Sequence, residues 1–153
     1  MKKIIAWVGK VSLALFVGSI VLVALLSVFP VYFTPLMGIR TAEQAILKDK
    51  SLAFKKDWEP IENISPHLYL AVVAAEDQKF LTHSGFDWEA IEKAFEGNKT
   101  GKQLRGGSTI SNQTAKNVFL WPGRNFIRKG IEAYFTVLIE FLWGKERILE
   151  VYL

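Results

Sequence analysis

Residues 68–87 read LYLAVVAAEDQKFLTHSGFD, from Leu68 to Asp87. An apolar run, Leu68 to Ala75, ends in the acid pair Glu76-Asp77, and a polar, glycine-bearing stretch follows. A helix with that ending leaves the core at its acid pair and opens on a cleft. A carboxylate there loses hydration, which raises its pKa toward the range useful for proton transfer. A lone acid is more often a solvated surface group, so Glu76 and Asp87 need support from the rest of the chain. Upstream, Ser65-Pro66 is a helix start, with Ser as N-cap and Pro at the first helical position. The pattern predicts a helix from Pro66 to about Asp77 and a loop over 78–86 with Gly85 as hinge. A second helix, Trp88 to Glu96, is capped by Asp87 and ended by Gly97-Asn98. Trp88, Ile91 and Phe95 fall at helical spacing on its expected buried face.

Toward the N-terminus, Val11 to Phe33 is a run of 23 residues without a charge. At about 1.5 Å per residue it spans a bilayer core of roughly 30 Å. It is longer than the ~7–15-residue apolar core of a cleaved signal peptide and ends in bulky aromatics, so an uncleaved anchor is expected. Lys2, Lys3 and Lys10 precede the run, and Arg40 and Lys48 are the first basic residues after it. That bias places the N-terminus in the cytoplasm. The expected organisation is an anchor over 1–33, a connecting segment over 34–64 and one domain over 65–153. In the connecting segment, Thr41 and Gln44 have capping-box spacing, predicting a short helix near Ala42 to Lys48. Phe54, Trp58 and Ile61 are expected to dock the segment onto the domain or the lipid surface.

Toward the C-terminus, the stretch from Asn98 to Gly107 is polar and basic, the signature of a loop. A third helix begins near Ser108-Thr109 and sets Gln113, Lys116 and Asn117 on one face. Gly106-Gly107 before it would let backbone N–H groups approach a ligand. After the turn at Pro122-Gly123 comes a long amphipathic helix. Ile127, Ile131, Phe135, Leu138 and Leu142 form its expected apolar face, and Arg124, Arg128 and Glu132 a polar stripe beside it. Arg128 and Glu132, one turn apart, have the spacing of an ordinary exposed ion pair. Gly144 breaks that helix and a further one starts at Lys145. The sequence shows no strand pattern, no internal repeat and no low-complexity segment.

The formal net charge is +4, but three of the basic residues belong to the anchor. The segment from Gly97 to Ile131 holds Lys99, Lys102, Arg105, Lys116, Arg124, Arg128 and Lys129 and no acid. A local basic block points to an anionic ligand, a phospholipid headgroup or a pyrophosphate. Nucleic acid fits poorly with a membrane tether and no nucleic-acid motif. RGGSTI is no nucleotide P-loop, because the required Lys is missing. Without cysteine there are no disulfides or thiolate metal sites. His67 and His83 are too few for a metal site, and loop packing is the expected role of each.

EDQKFLTHSGFD, GGSTISNQTAKN, RKGIEAYFTVLIE and KERILEVYL, in that order, resemble the first four motifs of the peptidoglycan glycosyltransferases, glycosyltransferase family 51. A single domain behind one anchor is similar to that family's monofunctional members in Gram-negative bacteria. The resemblance implies a mainly α, lysozyme-like domain at the outer face of the inner membrane. It implies polymerisation of lipid II into glycan strands with release of undecaprenyl pyrophosphate. Carried over by motif, Glu76 is the general base toward the acceptor hydroxyl and Glu132 the second glutamate, near the departing pyrophosphate. Lys116 and Arg128 balance charge, and Ser108, Thr109, Gln113 and Asn117 line the cleft. Implied partners are lipid II, the growing lipid-linked glycan, the inner membrane and other cell-wall synthesis proteins. Family members often use Mg or Mn with the pyrophosphate, and no metal motif here shows that independently. The family's fourth motif continues beyond Tyr152-Leu153, so the resemblance implies an incomplete domain of marginal stability. The alternatives are a precursor-binding domain without catalysis, or a lysozyme-like enzyme that cleaves glycan.

Overall fold

A computed structural model describes residues 1–47, 56–99, 106–123 and 125–153. The described residues form seven α-helices and no strand. They are α1 (Lys2–Leu26), α2 (Pro35–Ile46), α3 (Pro66–Glu76), α4 (Trp88–Lys99), α5 (Ile110–Phe119), α6 (Phe126–Leu142) and α7 (Lys145–Tyr152). A 3-10 turn, Ile61–Asn63, precedes α3.

The core lies where α5, α6 and α7 meet, with the last turns of α1 added. Phe80, Ile110, Ile139 and Ile148 are fully buried there, together with Ala115, Trp143 and Leu149. Each such large side chain contributes about 2 kcal/mol by its burial. Phe119 of α5 stacks on Phe135 of α6 at 4.4 Å between ring centres. Tyr69, Val72 and Val73 of α3 pack against the same cluster from outside.

Helix α1 has 25 residues. At about 1.5 Å each it reaches roughly 37 Å, enough to cross a bilayer core. It is exposed all round as far as Gly18. Its end is fastened to the domain. Trp143 Nε1 donates to the Val23 carbonyl at 2.8 Å, and Val23 is fully buried. Ser19 and Tyr134 share a hydroxyl hydrogen bond of 2.8 Å. The Arg147 guanidinium donates to the Leu26 and Phe29 carbonyls, where the helix leaves its last C=O groups unpaired.

Several sequence expectations are corrected here. The helix after the anchor starts at Pro35, not near Ala42. Thr34 is its N-cap, accepting from Met37 N at 3.2 Å. Thr41 lies inside that helix and donates to the Met37 carbonyl at 2.9 Å. The Thr34-Pro35 start outcompetes the Thr41/Gln44 pattern because Pro35 costs nothing at the first helical position. Lys48 and Phe54 lie outside the described residues. Ile61 is buried as expected, and Trp58 lies under the Arg147 guanidinium at 5.0 Å. Ser65 holds the N-cap position of α3, but its hydroxyl makes no capping bond. His67 is exposed in the first turn of α3, not packed in a loop.

Helix α4 continues past Gly97-Asn98 to Lys99. Asp87 does cap it, accepting from Ala90 N at 3.0 Å. Its buried residue is Ala94, while Trp88 and Phe95 are 72% and 62% exposed. Helices α5 and α7 start within two residues of their expected positions.

The largest reversal is on α6. Its buried residues are Arg128, Glu132, Thr136 and Ile139, one every turn, and Ile127 is 76% exposed. The stripe that reads as polar surface is the one turned inward. Phe135, Leu138 and Leu142 flank it, half-buried against the core.

Candidate active site

Glu76 is the last residue of α3 and is exposed. The burial expected of it is therefore absent, because it is the next residues, Asp77 and then Phe80, that turn inward while Glu76 stays on the outer side. The buried carboxylate is its neighbour Asp77, 7% exposed. Both Asp77 oxygens lie 2.9–3.0 Å from His83 Nε2, and Oδ2 also accepts from Ile110 N at 3.0 Å. Ile110 opens α5, so Asp77 sits at a helix N-terminus, where a negative charge is favoured. Gly85 N donates to His83 Nδ1 at 3.1 Å. That donor makes Nδ1 the acceptor, so the proton of the neutral ring is on Nε2 and points at Asp77. His83 is thus a loop-packing residue, as expected.

The same loop is gripped on three more sides. The Gly85 carbonyl accepts from Thr109 Oγ1 at 2.7 Å and Asn112 Nδ2 at 3.1 Å. Lys145 of α7 donates to the His83 carbonyl and to Glu140, each at 2.7 Å. Gly85 has φ +90°, and a Cβ there would lie 2.8 Å from Thr136 Cγ2. It is a wedge between the loop and α6, where a hinge was expected.

A cleft of about 390 Å³ opens beside Glu76. Lys79, Glu89, Lys93, Gly107, Ser108 and Thr109 are among the residues that line it. Glu89 pairs with both Lys79 and Lys93. Hydrogen bonds from Lys79 and then Lys93 hold the Glu89 carboxyl down at about 2, and Glu89 in turn raises the Lys79 ammonium. Ser108 is exposed on the rim. Thr109 is buried and fully engaged, since it also caps α5 by accepting from Asn112 N at 3.1 Å. A Cβ on Gly107 would stand 3.0 Å from the Ile91 Cα. Close packing on α4 therefore accounts for this glycine without a ligand.

On α5, Gln113 turns toward Glu76 and donates Nε2 to its Oε2 at 3.0 Å. The other end of that amide, Oε1, faces the Tyr152 hydroxyl at 3.5 Å. Burial, and then the Glu76 charge, push the Tyr152 phenol up. Asn117, one turn on, is exposed and lines a second cavity of about 660 Å³ with Lys56, Trp58, Glu150 and Tyr152. Burial lowers the Lys56 ammonium there. Lys116 is half-buried, with no ion-pair partner among the described residues.

Arg128 and Glu132 are 9% and 3% exposed, so the surface ion pair expected from their spacing is a buried one. Arg128 Nη1 donates to Glu132 Oε2 at 3.1 Å, and Lys129 reaches Oε1 from the half-exposed side. Arg128 Nε is buried with no hydrogen-bond partner among the described residues. Two cations on one carboxylate leave this corner net positive. Neither cavity beside α5 is lined by Lys116, Arg128 or Glu132.

Of the residues singled out by sequence, Glu76, Ser108 and Thr109 share one cleft, and Gln113 touches Glu76. Lys99, Lys102, Arg105 and Arg124 of the basic block cannot be placed in this arrangement. Lys102, Arg105 and Arg124 lie outside the described residues, and of Lys99 only the backbone is described. Sequence reasoning counted Lys129 only in the basic block, named Asp77 only in the acid pair that ends α3, and gave Tyr152 no role. Lys129 carried a signal, its i,i+3 spacing to Glu132. Tyr152 carried none beyond membership of a motif, because Gln113 lies 39 residues away, and Asp77 carried only His83 six residues on, its other partner Ile110 being 33 residues away.

The family model described as Transglycosylase matches residues 43–153. Among curated proteins, the chain is 52% identical over 147 residues to a biosynthetic peptidoglycan transglycosylase of Bdellovibrio bacteriovorus. That match covers 96% of this chain and 58% of the relative. It is 54% identical over 141 residues to the protein so named in Caulobacter vibrioides, covering 92% of this chain and 58% of the relative. With the one in Bacteroides thetaiotaomicron the identity is 50% over 153 residues, covering 100% and 61%. The chain spans about three-fifths of the length of these relatives.

Proposed function

The chain belongs to the transglycosylase family, and from that premise we propose that it is a peptidoglycan glycosyltransferase. In this reading it polymerises lipid II into glycan strands and releases undecaprenyl pyrophosphate. The observation that carries the reading is the position of Glu76. Its carboxylate stands at the end of α3 on the wall of an open cleft, with one oxygen held by Gln113 at 3.0 Å.

Glu76 Oε1 is left for the 4-hydroxyl of the acceptor sugar. As that oxygen attacks the anomeric carbon of the donor, Glu76 takes its proton. The bond from the anomeric carbon to the pyrophosphate oxygen breaks, and the leaving group departs with the electron pair. Lys116, Arg128 and Lys129 are the cations that balance its charge. Glu132 holds Arg128 and Lys129 in place by accepting from both. Asn117 and Ser108 line the path of the sugars, and Thr109 fixes the α5 start that carries Gln113. Among the described residues no group of three His, Cys, Asp or Glu side chains could hold a metal ion. An Mg or Mn ion taking part would have to be held largely by the pyrophosphate it accompanies.

Helix α1 is the one described helix long and apolar enough to cross a membrane. In this reading it crosses the bacterial inner membrane with Lys2, Lys3 and Lys10 on the cytoplasmic side, leaving the domain in the periplasm. Phe126, Ile127 and Phe141 are 97%, 76% and 85% exposed on α6, the helix to which α1 is fastened. That surface suits contact with lipid, where a lipid-linked substrate waits. The experiment is incubation of the chain with labelled lipid II in detergent, followed by separation of polymer from precursor. Release of muropeptides from sacculi instead would support the glycan-cleaving alternative.

A further inference from the structure

We propose that Tyr152 is a positioning residue for Glu76, acting through Gln113. This rests on the reading of Glu76 as the base. A glutamine amide has a donor end and an acceptor end, and only one of its two orientations offers N–H to a carboxylate. The reverse orientation would set Oε1 against the negatively charged Glu76. In the structure Nε2 faces Glu76 at 3.0 Å, and the Tyr152 hydroxyl stands 3.5 Å from Oε1 at the opposite end. A phenol that donates to Oε1 rewards the orientation that serves Glu76 and penalises the other.

Tyr152 is well placed to impose that choice. It lies on α7, whose Ile148 and Leu149 are buried in the core. Glu150 of the same helix accepts from Ile61 N at 3.1 Å, tying α7 to the turn before α3. The phenol is half-buried, and its proton is held more firmly than usual, so it remains a donor at neutral pH. The influence of the Glu76 charge on it places the two groups within electrostatic reach of one another. The line Tyr152–Gln113–Glu76 thus joins the packed core to an exposed carboxylate that nothing else described here orients.

The test is a double-mutant cycle on the full chain, with Tyr152→Phe and Gln113→Ala made singly and together. Loss of one neutral hydrogen bond to the amide should lower kcat by about fivefold with KM unchanged. In the Gln113→Ala background, Tyr152→Phe should add nothing. An unchanged kcat, a change confined to KM, or an equal loss in both backgrounds overturns the proposal. A second readout needs no turnover. The Tyr152 phenol is titrated by NMR of its ring carbon in wild type and in Glu76→Gln. Removing the Glu76 charge should bring the midpoint down toward the ordinary tyrosine range, and an unmoved midpoint overturns the coupling. If Glu76→Gln still polymerises lipid II, the base assignment fails, and the titration separately decides whether Tyr152 and Glu76 are coupled.

Discussion

Gln113 donates its side-chain amide to the Glu76 carboxylate at 3.0 Å, joining the middle of α5 to the end of α3. Glu76 is otherwise exposed, so this bond sets where its second oxygen points. Replacing Gln113 by Glu turns a donor into a like charge at the same distance, which displaces the carboxylate. We expect Gln113→Glu to lower the rate of glycan formation by about tenfold or more, since misplacement of a reacting group by an ångström costs more than that. Thermal unfolding should move little, because both side chains are at the surface. Initial rates from labelled lipid II check the first point, and a wild-type rate contradicts it.

Arg128 is buried against Glu132 on the inward face of α6. Arg128→Met keeps the volume and removes the guanidinium, leaving Glu132 with Lys129 alone. Breaking a buried pair by removing one partner costs on the order of 3 kcal/mol. The expected result is a clear fall in melting temperature. Arg128→Lys should fall less. An unchanged melting temperature would mean that the pair is solvated and the inward stripe misassigned.

Gly85 combines φ +90° with a Cβ position 2.8 Å from Thr136 Cγ2 and 3.0 Å from Glu140 Cγ. An alanine there meets both backbone strain and a steric clash. Gly85→Ala should destabilise the domain by about 2 kcal/mol or more and loosen the loop that leads from Asp77 to Phe86. Limited proteolysis read by mass spectrometry should show new cleavage within that loop. Gly144→Ala, where nothing stands within 4 Å, is the matched control.

Glu89 is held down at about 2 by Lys79 and Lys93. Its folded value lies below its unfolded one, so its stabilising contribution is present above the unfolded carboxyl pKa of about 4.5. It is lost as pH falls from there toward 2. The three side chains are well exposed to solvent, so the effect is small and shrinks in salt. In Glu89→Gln the loss of stability between pH 4.5 and 2 should be shallower than in wild type at low ionic strength. Parallel acid-unfolding curves for the two chains would contradict the pairing.

Where local chemistry decides, the sequence is a good guide. Pro66, Asp87 and Gly144 each mark a helix boundary by what their own backbone or side chain can do, and the structure has α3, α4 and α7 starting there. The face of α6 is a different matter. Reading apolar spacing assigns Arg128 and Glu132 to solvent, because it counts each charge alone. Paired, they go inside, and Ile127 is left outside. Apolar spacing also places Trp88 and Phe95 inside, and on α4 it is Ala94 that is buried while those two stay exposed. Within the site, Glu76 is visible as an acid at the end of an apolar run. Its contact with Gln113 spans 37 residues and no local pattern encodes it. The same holds for the bond Asp77 accepts from Ile110 at the start of α5, 33 residues on, whereas its bonds with His83 are made within one loop.

The central claim is that Glu76 is the base of a lipid II polymerase. The direct measurement is polymer formation from labelled lipid II in detergent by this chain and by its Glu76→Gln variant, with precursor binding measured alongside. The account predicts glycan polymer from the wild-type chain, none from the variant, and nearly equal binding by both. Polymer from Glu76→Gln at close to the wild-type rate, or no polymer from either chain, would contradict it.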